Sequence, residues 1–324
     1  MPFEAPLSVR LFRAMKPRRY AKRNVANTAR VTALVRALGH RVDGPEANGD
    51  DLAERCLPPW LRGMLATPSA ARLVLRLIEH QLPGSYGYFN ARTQYFDQVV
   101  AQAAGSGLQQ LVLLGAGFDT RPQRFAEQLQ GARIFEVDMP VVLAARVARL
   151  RRAGLCAPNA VEVPIDFDCD DLVQALTRRG YETAVGRTLF LWEGVTYYLS
   201  EQAVAQALRS IAALCTEGSG LVFDYVSKSF VNGDHSAYGS PALARGWRRL
   251  GNVNRSGVAS VGELVEPLGF RICDDVGAAE LERRYLHALR GGPRRALGAL
   301  RMAYVERIRV PGKPRDDAAP YPRP

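Results

Sequence analysis

No stretch of the 324 residues approaches the roughly 18 consecutive apolar residues needed to span a bilayer as a helix, so no membrane protein is expected. The N-terminal "MPFEAPLSVRLFRAMKPRRYAKR" has basic residues but neither a continuous apolar stretch nor a small-residue cleavage site, and the expected location is the cytoplasm. Cysteine is sparse: Cys56, Cys156, Cys169, Cys215 and Cys273 are scattered, odd in number and without a CxxC pair. That argues against a disulfide framework and a zinc site, so reduced thiols and no metal are expected. Lysine is rarer still, with Lys16, Lys22, Lys228 and Lys313 the only lysines among 43 basic residues, so arginine carries the net charge of +11. The clusters "KPRRYAKR", "RVARLRR" and "GGPRR" lack aromatic residues at base-stacking intervals, which makes nucleic acid an unexpected partner and a solvated basic surface the plainer account.

The chain does have enough apolar residues, 47% of the total, to bury a sizeable core. Its middle third alternates strand-like and helix-like segments, as in a parallel sheet covered by helices. "LQQLVLLGAG", "ARIFEVDM", "AVEVPID", "RTLFLWEGV" and "GSGLVFDYV" read as five successive strands. Pro140 starts one intervening helix, Gly154 and Gly180 stand at helix ends, and Ser200 caps "EQAVAQALRSIAALC". Residues 1–105 lack the alternation and look like a helical cap, interrupted by "RVDGPEANGDD" as a surface loop. The core is expected over 106–310, with a lid near 228–255, a helix-turn-strand in "VGELVEPLGFRICDDVG" and a closing strand in "RRALGALRMAYVERIRV". The proline-rich 311–324 is expected to be a disordered tail.

Ligands of doubly wound sheets sit beyond the carboxyl ends of the strands. The first end carries Gly115 and Gly117 of "LVLLGAGFDT", which bring bare backbone close to a ligand but lack the third glycine of a dinucleotide fingerprint. Asp138 ends the second strand, about 20 residues on, where an acid commonly takes ribose hydroxyls; Glu136 shares its face. Asp166 and Phe167 end the third strand, suited to an adenine amino group and ring. Glu193 stops the fourth, where a carboxylate is costly unless it meets a cation or donors. Asp138 and Asp166 also suit simple helix capping, and the glycine loop a plain connection. Together they suit a ligand with ribose, adenine and positive charge rather than a pyrophosphate. S-adenosyl-L-methionine is such a ligand, with S-adenosyl-L-homocysteine as its product. The expected fold is therefore α/β, a class I methyltransferase Rossmann-like doubly wound sheet with an N-terminal helical cap and a C-terminal lid and strand extension.

"GAGFDTR", "FEVDMP", "IDFD" and "LWEGVTYYL", in that order and preceded by "YGYFNARTQYFDQVV", resemble the leucine carboxyl methyltransferase family, including its bacterial polyketide carboxyl methyltransferase-type members. The resemblance spans roughly residues 28–290 and is dense over 86–226. It implies that Arg92 pairs with the methionyl carboxylate, with Arg36 as a second basic residue toward it. It implies cofactor contacts for Gly115, Gly117, Asp119 and Thr120, ribose binding by Asp138, an adenine-side role for Asp166, and Glu193 facing the ammonium or sulfonium end. The chain departs from the family where Asp50-Asp51 replaces the usual Asp-Pro pair.

A carboxylate acceptor needs orientation, whereas a phenol or alcohol needs a general base. Of the four histidines only His235 stands where it could reach a substrate. Tyr197 and Tyr198 could donate to the acceptor or wall its pocket, and Arg245, Arg248 and Arg249 could attract an acid. The expected reaction is methyl ester formation on a small acidic molecule, with hydroxyl O-methylation as the close alternative. A carrier-protein partner, a basic RNA-binding role and an NAD-type oxidoreductase remain as rivals; the last lacks both the third glycine and a Tyr-x-x-x-Lys pair.

Overall fold

The computed structural model describes residues 23–249, 256–287, 289–292 and 294–308; the expected tail and the basic N-terminal segment lie outside them. In chain order come α1 (Arg23–Asp43), α2 (Pro68–Gln81), α3 (Ser85–Gly105), β1 (Gln110–Leu114), α4 (Arg121–Arg124), β2 (Arg133–Asp138), α5 (Pro140–Arg152) and β3 (Ala160–Pro164). There follow α6 (Leu172–Arg178), β4 (Thr188–Trp192), α7 (Glu201–Leu214), β5 (Gly220–Val226), α8 (Ser240–Arg249), β6 (Phe270–Val276), α9 (Ala278–Tyr285) and β7 (Leu300–Arg307). Local chemistry sets several boundaries: Ser200 Oγ accepts from Ala203 N at 3.1 Å and Asp171 Oδ1 from Gln174 N at 3.1 Å. Past α5 and α6 the chain turns through Gly154 and Gly180, whose φ values of 66° and 84° cost a glycine little.

The strands form one seven-stranded sheet in the order β3-β2-β1-β4-β5-β7-β6. The first five strands pair in parallel, and β7 inserts antiparallel between β5 and β6. The order reverses between β1 and β4, so the crevice sits at their carboxyl ends. Register decides what meets there. Leu114 pairs with Val137, which places the glycine loop beside Asp138, and Trp192 pairs with Phe223, which places Glu193 beside Asp224.

Side-chain alternation divides the core between the two faces of the sheet. Leu111, Leu113, Ile134, Leu189 and Val222 pack with the N-terminal helices, whereas Val112, Phe135, Phe190, Trp192 and Phe223 pack with α6 and α7. Each such buried side chain contributes roughly 1.5–3 kcal/mol. Asp224 lies on the cap face, in register with Val222 and Val226.

The expected surface loop at 41–51 is different. Arg41–Asp43 end α1, and Asn48 and Asp50 are buried. Asn48 Nδ2 donates to Arg36 O at 3.0 Å, and Asn48 Oδ1 accepts from Asp50 N at 2.8 Å. The polar composition serves as cross-links between α1 and the core rather than as a wetted turn. The segment expected to act as a lid packs through Trp247, which stacks on Tyr197 at 5.3 Å and meets Phe230 edge-on at 5.6 Å. Among the described residues no helix is long and apolar enough to cross a membrane.

Candidate active site

The loop after β1 is held from beneath. Gly115 N and Ala116 N donate to Val137 O at 2.8 and 2.9 Å, and Gly117 N donates to Asp138 Oδ2 at 2.9 Å. Gly115 has φ 81°, and a Cβ there would lie 2.3 Å from Val195 Cγ2, so only glycine fits. Arg146, fully buried on α5, clamps Glu136 through Nε at 2.8 Å and Nη2 at 2.5 Å, and donates to Asp119 O at 2.6 Å. Glu136 is thus a structural anchor, while its face-mate Asp138 stands at the strand tip. Asp138 Oδ1 also accepts from Met139 N at 2.7 Å. Burial pushes its carboxyl up to about 6, against the pull of these two N–H groups and Arg146.

Across the crevice lies a buried lattice of guanidinium groups and carboxylates. Arg92 on α3 places Nη1 2.6 Å from Asp224 Oδ2 and Nε 2.9 Å from Glu193 Oε1, and Arg92 Nη1 also reaches Tyr197 Oη at 3.4 Å. Arg121 donates from Nη1 to both Glu193 Oε2 and Asp119 Oδ2 at 2.6 Å, and from Nε to Asp97 Oδ1 at 2.6 Å. Arg124 grips both oxygens of Asp97 at 2.6 and 2.8 Å. Asp50 accepts from Arg36 Nε and from Thr120 Oγ1, each at 2.6 Å, and Arg36 Nη2 donates to Phe118 O at 2.7 Å. Asp224 is further held by Tyr88 Oη at 2.9 Å and Gly194 N at 2.6 Å. Burial alone would raise the Glu193 carboxyl; Arg121, Arg92 and Arg36 outweigh it and hold it down at about 2. Burial and Asp224 raise the Tyr197 phenol well above its ordinary range. Glu193 and Asp50 therefore stay charged at neutral pH, and the tyrosine stays neutral.

The leucine carboxyl methyltransferase family model matches residues 29–212. A Mycobacterium avium (strain 104) protein, provisionally named an S-adenosyl-L-methionine-dependent methyltransferase, is 32% identical over 253 residues, covering 74% of this chain and 77% of that protein. The chain belongs to the leucine carboxyl methyltransferase family. It is an S-adenosylmethionine-dependent methyltransferase of that family. A Frankia alni protein with the same provisional name is 38% identical over 141 residues, 43% of this chain and 49% of that protein. Among solved structures, a provisionally named methyltransferase from Thermobifida fusca YX shares the fold, with a TM-score of 0.54 at 20% identity, over 74% of this chain and 89% of that one.

For this methyltransferase the sequence-expected residues fall into three groups. Gly115, Gly117, Asp119, Thr120, Asp138, Glu193, Arg92 and Arg36 converge at the ends of β1, β2 and β4 through the contacts above. Asp166 and Phe167 lie half-buried past β3, where Asp166 Oδ1 accepts from Asp168 N at 3.1 Å in a local turn. Tyr197 is buried against Arg92 and Trp247, Tyr198 rests on Tyr197 at 4.9 Å, and His235 packs on Phe230 at 5.0 Å. Of the basic trio on α8, Arg245 is exposed and Arg248 lies at the surface, while the Arg249 side chain falls outside the described residues.

The residues fit S-adenosylmethionine on one structural ground. Asp138 and the two positive-φ glycines form a tip where burial raises a carboxylate that accepts from two backbone N–H groups, and ligand hydroxyls would add further donors to it. Sequence reasoning missed Arg121, Asp224, Asp97, Asp50 and Arg124. Two carried a signal: Asp224 is a lone acid within the apolar "LVFDYV", and Arg121 closes the quoted "GAGFDTR".

Proposed function

We propose that this protein methylates the carboxylate of a small organic acid, giving a methyl ester and S-adenosylhomocysteine. What supports the carboxylate over a hydroxyl acceptor is the state of Glu193 and Tyr197, the groups this reading places nearest the methyl and its acceptor. Glu193 is held near 2 by its arginines, and Tyr197 is held neutral, so neither takes a proton from a hydroxyl at pH 7. An acceptor that arrives already deprotonated needs no base.

S-adenosylmethionine, when bound, supplies a methyl group on a sulfonium, open to in-line attack. The chain binds and orients. In this reading the Gly115–Gly117 loop lets backbone approach the ligand, Asp138 accepts from ribose hydroxyls, Asp166 and Phe167 face the adenine, and Glu193 faces the cationic end. Arg92 and Arg36 direct pre-oriented guanidinium groups to the methionyl carboxylate, since each is already fixed by an acid. Tyr197 and Tyr198 wall the acceptor side, which fixes the attacking oxygen in line. A hydroxyl acceptor would instead require His235 as base.

Calorimetric titration with S-adenosylmethionine and S-adenosylhomocysteine, with NAD as control, tests the site. The expected result is binding of the two sulfur ligands alone, lost in Asp138→Ala while its circular dichroism is unchanged. Undiminished binding in that variant would overturn the assignment.

A further inference from the structure

A second cleft, sharing no residue with the strand-end site, opens beside α2. Its volume is about 620 Å³, and Arg72, Arg76, Glu79, His80, Tyr238 and Gly292 are among the residues that line it. Arg72, Arg76 and His80 are spaced four apart, so they form one row along the helix, and all three are exposed. Neither Arg72 nor Arg76 has a carboxylate partner among the described residues. Tyr238 of the cleft wall carries the Arg295 guanidinium over its ring at 3.8 Å.

The nearby acids are engaged by groups within the protein. Glu79 Oε2 accepts from Gly84 N at 2.8 Å, and Oε1 accepts from Tyr86 N at 2.7 Å and Ser85 Oγ at 3.1 Å, closing the start of α3. Asp43 Oδ1 accepts from Arg290 N at 2.9 Å and Gly291 N at 2.5 Å, and Oδ2 from Tyr86 Oη at 2.5 Å. Both carboxylates are taken up by neutral donors, whereas the guanidinium groups are not. A Cβ on Gly292 would lie 2.2 Å from Tyr86 Cε1, so this wall exists only because the residue is glycine.

We propose that the cleft binds a small organic phosphate, the phosphate on Arg72 and Arg76 and the organic body against Tyr238. Two guanidinium forks present more N–H groups than one carboxylate's oxygens accept in plane, while a phosphate offers a further oxygen and more charge. The volume falls within the roughly 300–1,000 Å³ of small-molecule sites.

The test is calorimetry with inorganic pyrophosphate and ADP, and citrate as a carboxylate control, on the full chain and on R72Q/R76Q. Thermal unfolding serves as the fold check. The proposal expects both phosphates to bind, ADP more tightly than pyrophosphate and both more tightly than citrate. It expects affinity to fall at least tenfold in R72Q/R76Q at an unchanged unfolding midpoint. No phosphate binding, citrate binding as tight as ADP, or equal affinities in the variant would overturn it and leave only a solvated basic face.

Discussion

Replacing Glu193 with glutamine removes one negative charge from between two guanidinium groups and keeps the side-chain shape. Glu193 lies 2.9 Å from Arg92 Nε and 2.6 Å from Arg121 Nη1. Neither arginine is stranded by the change, because Arg92 retains Asp224 and Arg121 retains Asp97 and Asp119. The carboxyl stands at about 2 in the folded protein against an ordinary 4.5, which corresponds to roughly 3 kcal/mol of stability. Because the folded value lies below the unfolded one, that stability is complete above about pH 4.5 and is lost as pH falls toward 2. Urea unfolding should therefore find E193Q less stable than the parent by roughly 3 kcal/mol at pH 7, narrowing to roughly 1 kcal/mol at pH 3. A gap of the same size at both pH values, or none at pH 7, would refute the reasoning.

Cofactor affinity should depend on Asp138. In the proposed site its ionised form would accept from ligand hydroxyls, and burial pushes the carboxyl up to about 6, so S-adenosylhomocysteine should bind fully above that pH and about tenfold more weakly per unit below it. Flat affinity from pH 7 to pH 5 by calorimetry would contradict this. Gly115→Ala meets both a φ of 81° and Val195 at 2.3 Å, so the unfolding free energy should drop by about 1–3 kcal/mol, with partial recovery in G115A/V195A. Absence of recovery would place the whole cost in the backbone. Arg146→Met leaves Glu136 buried without its cation and should cost about 3–5 kcal/mol, whereas E136L/R146M should cost less than the single change. A double variant worse than R146M would show that the Arg146 bonds to the loop carbonyls dominate.

The parallel strands were legible because each is a short apolar run closed by a turn or cap, so the pattern itself marks Leu111 to Leu114 and Leu189 to Trp192. The glycine loop and Asp138 were legible for the same local reason. The lattice across the crevice was not. Its bonds join Arg92 to Asp224 and Arg121 to Glu193 across 132 and 72 residues of sequence, and nothing local pairs those charges. The segment at 41–51 misled because Asn48 and Asp50 have turn-like chemistry, yet Asp50 binds Arg36 and Thr120 in the interior. Polar composition marks exposure only where the polar groups lack partners within the protein.

Carboxyl methylation itself is tested most directly by the chemistry of the product bond. The protein would be incubated with methyl-labelled S-adenosylmethionine and matched panels of organic acids, phenols and alcohols, and the products then treated with mild alkali. The proposed reaction predicts label incorporated from the acid panel and released by alkali as volatile methanol, because esters hydrolyse and ethers do not. Label found only in the phenols or alcohols, and stable to alkali, would contradict it.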